Sequence, residues 1–179
     1  MSSFTFYSGT MPHATAAMNN VLLHLFDQIE AHASRSSTPI NTLISARLVE
    51  DMFPFTLQVF IASEMALQMA ARLQGMEPPT GQPGPDGLKT LEDMRKRVNA
   101  VLEFVQRSDR QKFIDPETEV TFNMGPEKKF TGKAHGFANG FALPNLYFHT
   151  VTAYNILRNH GMQIGKADYQ DCYFTPYLS

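Results

Sequence analysis

The chain has 179 residues, 43% hydrophobic and 18% charged, the balance of one globular domain spanning 1–179. Its 15 basic and 17 acidic residues give a formal net charge of -2, so no basic excess is present to hold a nucleic-acid backbone. A single cysteine excludes an intrachain disulfide, and no apolar run approaches the roughly 18 residues that a membrane span requires.

Met1 to Gly9 has neither the basic nor the apolar region of a secretory signal, so a cytoplasmic protein is expected. Ser8-Gly9-Thr10 with Pro12 predicts a helix start. Apolar residues then recur at Met18, Val21, Leu22, Leu25 and Ile29, the spacing of one buried helix face, and polar Ser34 to Pro39 ends it. A second helix is predicted through Leu48, Met52, Phe55, Val59, Ala62, Ala66, Met69 and Leu73, in steps of three or four. Pro54 is placed in the first turn of its main body, because further inside it would remove a backbone bond. Gly75 stops that helix, and residues 76–87, with four prolines and three glycines, form a loop. Leu91, Met94, Val98, Val101, Leu102 and Val105 predict a third helix. The alternation from Glu119 to Phe122, with Phe130 following Gly125-Pro126, predicts a small hairpin. A fourth helix is expected from near Gly136 through Phe141, Phe148, Thr152 and Ile156 to His160-Gly161. The remaining tail reads as irregular. Its Tyr169, Tyr173, Phe174 and Tyr177 are expected to pack on the bundle or on a second subunit, which makes a homodimer the expected assembly. The fold class is all-α, an antiparallel four-helix bundle with a hairpin before the last helix.

Few residues are suited to chemistry. No two of the six histidines stand four apart, the spacing that sets two ligands on one helix face, so no metal or other cofactor is expected. Asn145 and His149 do stand one turn apart. An imidazole beside an amide suits binding of a polar group, or action as an acid or base. Asp51 and Gln58 are seven apart and border the apolar stripe of the second helix; Asp51 also suits a helix cap. Near the end of the last helix, Tyr154 and Arg158 are placed to hold an anionic or enolate oxygen. The expected assignment is His149, Asp51 and Tyr154 as catalytic residues and Gln58, Asn145 and Arg158 as substrate-binding residues. The function expected from that set is cofactor-independent proton transfer, of isomerase or dehydratase type, on a partly apolar small molecule. A non-catalytic small-ligand binding protein is the alternative.

The runs Ala46-Arg47-Leu48, Asp51-Met52-Phe53-Pro54 and Ala71-Arg72-Leu73-Gln74-Gly75 resemble motifs of the uncharacterised DUF1993 family. So do Phe141 to His149, Ala153 to Arg158 and Ile164 to Tyr169, which extends the resemblance over nearly the whole chain. It implies a bundle of the DinB-like superfamily. Many members of that superfamily hold a divalent metal with three histidines, one from the second helix and two spaced by four on the last. Here the position four before His149 is Asn145 and the position four after it is Ala153, while the second helix offers Asp51 or Gln58. A divalent-metal enzyme with atypical ligands is what the resemblance adds to the alternatives.

Overall fold

Helix α1 runs over residues 11–36: Met11–Thr15, a wider π-helical stretch Ala16–Leu23, and His24–Ser36 follow one another without a break. The chain is seen here in a computed structural model, which describes residues 5–124, 127–175 and 178. A short α2, Ile40–Ile44, precedes α3, Phe55–Arg72, and α4, Leu91–Gln106. Strands β1, Glu119–Met124, and β2, Lys128–Lys133, pair antiparallel with Phe122 opposite Phe130. The expected hairpin is therefore present, although its Gly125-Pro126 turn lies outside the described residues. Helix α5 covers residues 134–159 as Ala134–Phe137, π-helical Ala138–Ala142 and Leu143–Asn159. Pro144 sits inside this run. It offers no N–H and its ring would crowd the carbonyl of Gly140, so the backbone widens in the preceding turn. Helix α6, Lys166–Phe174, is where the tail was expected to be irregular.

Four long helices thus carry the core, as the apolar spacing predicts, but they are not all antiparallel. Arg97 bonds Ser63 and Glu64, and further on Ser108 and Asp109 bond Gln74, at sequence separations of 34, 33, 34 and 35. A constant offset means that α3 and α4 run parallel. The Pro- and Gly-rich loop is therefore a crossover that returns along the bundle, roughly 25 Å for a helix of this length. Reading it as a turn reverses α4. Gly75 begins the return with φ of 69°, a left-handed conformation that suits glycine, while the N–H of Met76 bonds the carbonyl of Ala71 at 3.1 Å.

Two further expectations are corrected. Leu48 and Met52 precede α3 in irregular chain, because Pro54 occupies the N-cap and no helix enters it. Phe148, placed by its spacing on the buried stripe of α5, is 53% exposed. Helix α4 begins where sequence logic puts it. Thr90 Oγ1 accepts from the N–H of Asp93, and Asp93 Oδ2 accepts from the N–H of Thr90, a reciprocal cap. Thr90→Ala should cost about 1 kcal/mol, read as a fall of about 2–4 °C in the thermal midpoint.

In α6, Tyr169 and Tyr173 fold back onto their own bundle. Tyr169 packs on Tyr154, and Tyr173 packs on Tyr147 and His13. Phe174 and Leu178 stay exposed, and Tyr177 lies outside the described residues. Two of the four aromatic residues that motivated a homodimer are thus packed within the chain itself. Among the described residues no helix is long and apolar enough to cross a membrane.

Candidate functional site

Helices α3 and α5 pack more extensively on each other than any other helix pair, and a cavity of about 520 Å³ opens between them and the hairpin. One wall comes from α3, where Phe60, Ile61, Glu64, Met65 and Gln68 repeat at helical spacing. The opposite wall is Phe137, Phe141, Asn145 and His149 of α5, each four residues after the last. Phe122 of β1 closes the third side. Its ring centroid lies 4.8 Å from those of both Phe137 and Phe141, which fixes the hairpin against α5.

Of the expected site residues, His149 lines the cavity, whereas Gln58 does not and instead bonds His149 from behind. Nδ1 of His149 lies 2.6 Å from Oε1 of Gln58, and Gln58 Nε2 donates to the carbonyl of Phe53 at 3.0 Å. A carbonyl only accepts, so the amide orientation is fixed and Oε1 must accept from His149. The imidazole therefore carries its proton on Nδ1, and Nε2 presents a lone pair. Gln58 is 1% exposed and stands behind the ring, whereas His149 is 8% exposed and lines the cavity. Burial lowers the His149 pKa to about 4, and among the described residues no carboxylate bonds the ring to offset it. At neutral pH the side chain is a neutral hydrogen-bond acceptor.

Asn145 also lines the cavity, its Nδ2 donating to the carbonyl of Phe141 at 2.7 Å. The other three expected site residues lie elsewhere. Asp51 is exposed in the turn before α3 and does not cap that helix. Tyr154 packs on Tyr169, on another side of α5. Arg158 is exposed and donates to the carbonyl of Met162 at 2.9 Å, serving the helix end. None of the three lines the cavity.

Sequence reasoning missed a polar group at the α3 wall. Glu64 Oε2 accepts from Nη2 of Arg97 at 2.7 Å, and Glu64 Oε1 accepts from Nε2 of Gln68 at 2.8 Å. Arg97 is 2% exposed; it also donates to Ser63 Oγ at 2.7 Å and to the carbonyl of Pro83 at 2.8 Å. Its guanidinium carbon lies 4.4 Å from the centroid of Phe60. Burial pulls its pKa down, with Glu64 working in the opposite direction. The available signal was a charge at position 97, between Met94 and Val101 on the apolar face of α4.

A more open groove along α1 and α6 contains the His24–Asp168 pair, 2.7 Å apart, and Cys172. Burial pushes that thiol up to about 11, away from nucleophilic reactivity.

The site is thus a capped pocket in a mixed parallel and antiparallel helical bundle. The sequence profile described as Domain of unknown function (DUF1993) matches residues 6–170, and the chain belongs to that family. A crystal structure of a DinB family member protein from Shewanella denitrificans is similar over 91% of this chain and 90% of that one, with 32% identity and a TM-score of 0.78. No curated protein matches the chain significantly. The three-histidine metal centre that the DinB-like resemblance implies does not fit the donors present. Nδ1 of His149 is taken by Gln58, Asn145 replaces a second histidine, and among the described residues no three of His, Cys, Asp and Glu converge.

Proposed function

We propose that the protein binds a small, partly apolar molecule in the cavity between α3 and α5, and that this ligand donates a hydrogen bond to Nε2 of His149. The observation that carries the reading is the Gln58–His149 pair. It commits a buried imidazole to one tautomer and leaves its lone pair for whatever fills the cavity. The volume is in the range of small-molecule sites, with apolar walls and a few polar groups. Proton transfer of isomerase or dehydratase type is the second reading, favoured by the Glu64 carboxylate in the same cavity. With a pKa of about 4, however, His149 is a weak base at neutral pH, which favours binding over catalysis.

Calorimetric titration with phenethyl alcohol tests the first reading. Saturable binding is expected, with affinity at least tenfold lower in His149→Ala while its circular dichroism is unchanged. Equal affinity in the two proteins would remove His149 from the site. Turnover of any bound molecule, lost in His149→Ala, would move the reading to catalysis.

A further inference from the structure

We propose that the cavity is built for an organic amine, whose ammonium is held by Glu64 while its apolar body lies against the phenylalanine wall. This rests on the reading of the cavity as a ligand site. Glu64 is the only carboxylate among the described lining residues, and no lysine or arginine lines the cavity beside it. Arg97 neutralises Glu64 from behind but is itself 2% exposed and outside the lining, so an incoming molecule meets the carboxylate first. That carboxylate is held in place. One oxygen is fixed by Arg97 and the other by Gln68, and Gln68 is fixed in turn because its Oε1 accepts from Nε of Arg72 at 2.8 Å. Each carboxylate oxygen keeps a second lone pair, and the Glu64 side chain is 28% exposed.

The other polar groups of the cavity include acceptors on the opposite wall, as well as the amide of Asn123, which can donate or accept. Among the described residues Nε2 of His149 has no partner, and Asn145, with one Nδ2 hydrogen on the Phe141 carbonyl, keeps Oδ1 and its second hydrogen. A ligand that brings donors therefore finds acceptors on both walls, Glu64 on α3 and His149 and Asn145 on α5. An ammonium brings three donors and a positive charge, whereas a carboxylate brings no donor and is repelled by Glu64. Aromatic faces complete the match. Phe60, Phe122, Phe137 and Phe141 line the cavity, and Phe60 already holds one cation, Arg97, over its ring. Glu64 follows Gln58 by six positions on α3, about 9 Å along the axis, so the Glu64 and His149 contacts are separate and separately testable.

The test compares phenethylamine, phenethyl alcohol and phenylacetate by calorimetry at neutral pH. Phenethylamine should bind at least tenfold more tightly than the alcohol and phenylacetate should bind most weakly, with the amine's advantage shrinking as salt is added. In Glu64→Gln, which keeps an acceptor for Arg97, the advantage of the amine over the alcohol should fall to within about twofold. Glu64→Asp should retain most of it. Equal binding of amine and alcohol overturns the proposal, as does an amine preference that survives Glu64→Gln. The wild-type series and its salt dependence decide the matter if Glu64→Gln fails to fold. Alcohol binding that needs His149 but shows no amine preference overturns the amine proposal alone. Failure of all three compounds to bind overturns the ligand-site reading with it.

Discussion

Replacing Arg97 with methionine should destabilise the fold by about 3 kcal/mol, at the low end for breaking a buried ion pair. The size follows from what is left behind. The carbonyl of Pro83 loses its donor, and with it the crossover loop loses its tie to α4. Ser63 is less affected, since its hydroxyl also donates to the carbonyl of Phe60. Glu64 is partly open to the cavity and regains some hydration, which holds the loss to the low end of the range. The thermal midpoint should fall by about 6–12 °C. Arg97→Lys separates charge from geometry. Lysine keeps the positive charge but not the fork that reaches Ser63, Glu64 and Pro83 together, so a loss of about 1–2 kcal/mol is expected. Methionine as stable as wild type would mean that the four-partner cluster contributes nothing net to the fold.

That cluster shows where sequence reasoning stops. The four long helices were legible because each buries one face, and apolar spacing of three or four reports that directly. The direction of α4 was not. A loop of given length closes an antiparallel turn or returns along a bundle equally well, and only the pairing of Arg97 with Glu64 and of Gln74 with Ser108 decides. The site divides in the same way. Gln58 and His149 were legible as polar residues at the edge of apolar stripes. Tyr154 and Arg158 were misplaced although helical phase argues against both: at 100° per residue they lie about 140° and 180° round α5 from His149. Asp51 failed for another reason. Its seven-residue spacing from Gln58 has meaning only inside one helix, and Pro54 interrupts it. Glu64 and Gln68 stand off the apolar stripe of α3 and carry no motif, and only the cavity and Arg97 give them partners.

Gln58→Leu should destabilise the protein by about 1–2 kcal/mol, even though it removes a buried amide. In a core where the amide served only itself, leucine would be neutral or favourable. Here the amide satisfies two other groups, the Nδ1–H of His149 and the carbonyl of Phe53, and both are orphaned by the change. His149→Leu should cost a similar amount at pH 8, leaving Gln58 Oε1 without its donor. The double variant should cost less than the sum, because each change orphans what the other removes. Acid then separates the pair from ordinary packing. The His149 pKa is about 4 in the folded protein and roughly 6.5 when unfolded, so between these values the unfolded chain binds the extra proton. Stability is therefore lost as pH falls from about 6.5 to about 4, by about 2 kcal/mol after allowing for solvent that reaches the ring through the cavity. His149→Leu lacks this loss, while His13, whose pKa burial also lowers, is common to both proteins and cancels in the difference. The cost of His149→Leu, measured by chemical denaturation, should thus be greatest at pH 8 and shrink towards pH 4. A cost independent of pH across that window would show that the imidazole is not held neutral, and the acceptor role assigned to Nε2 would fall with it.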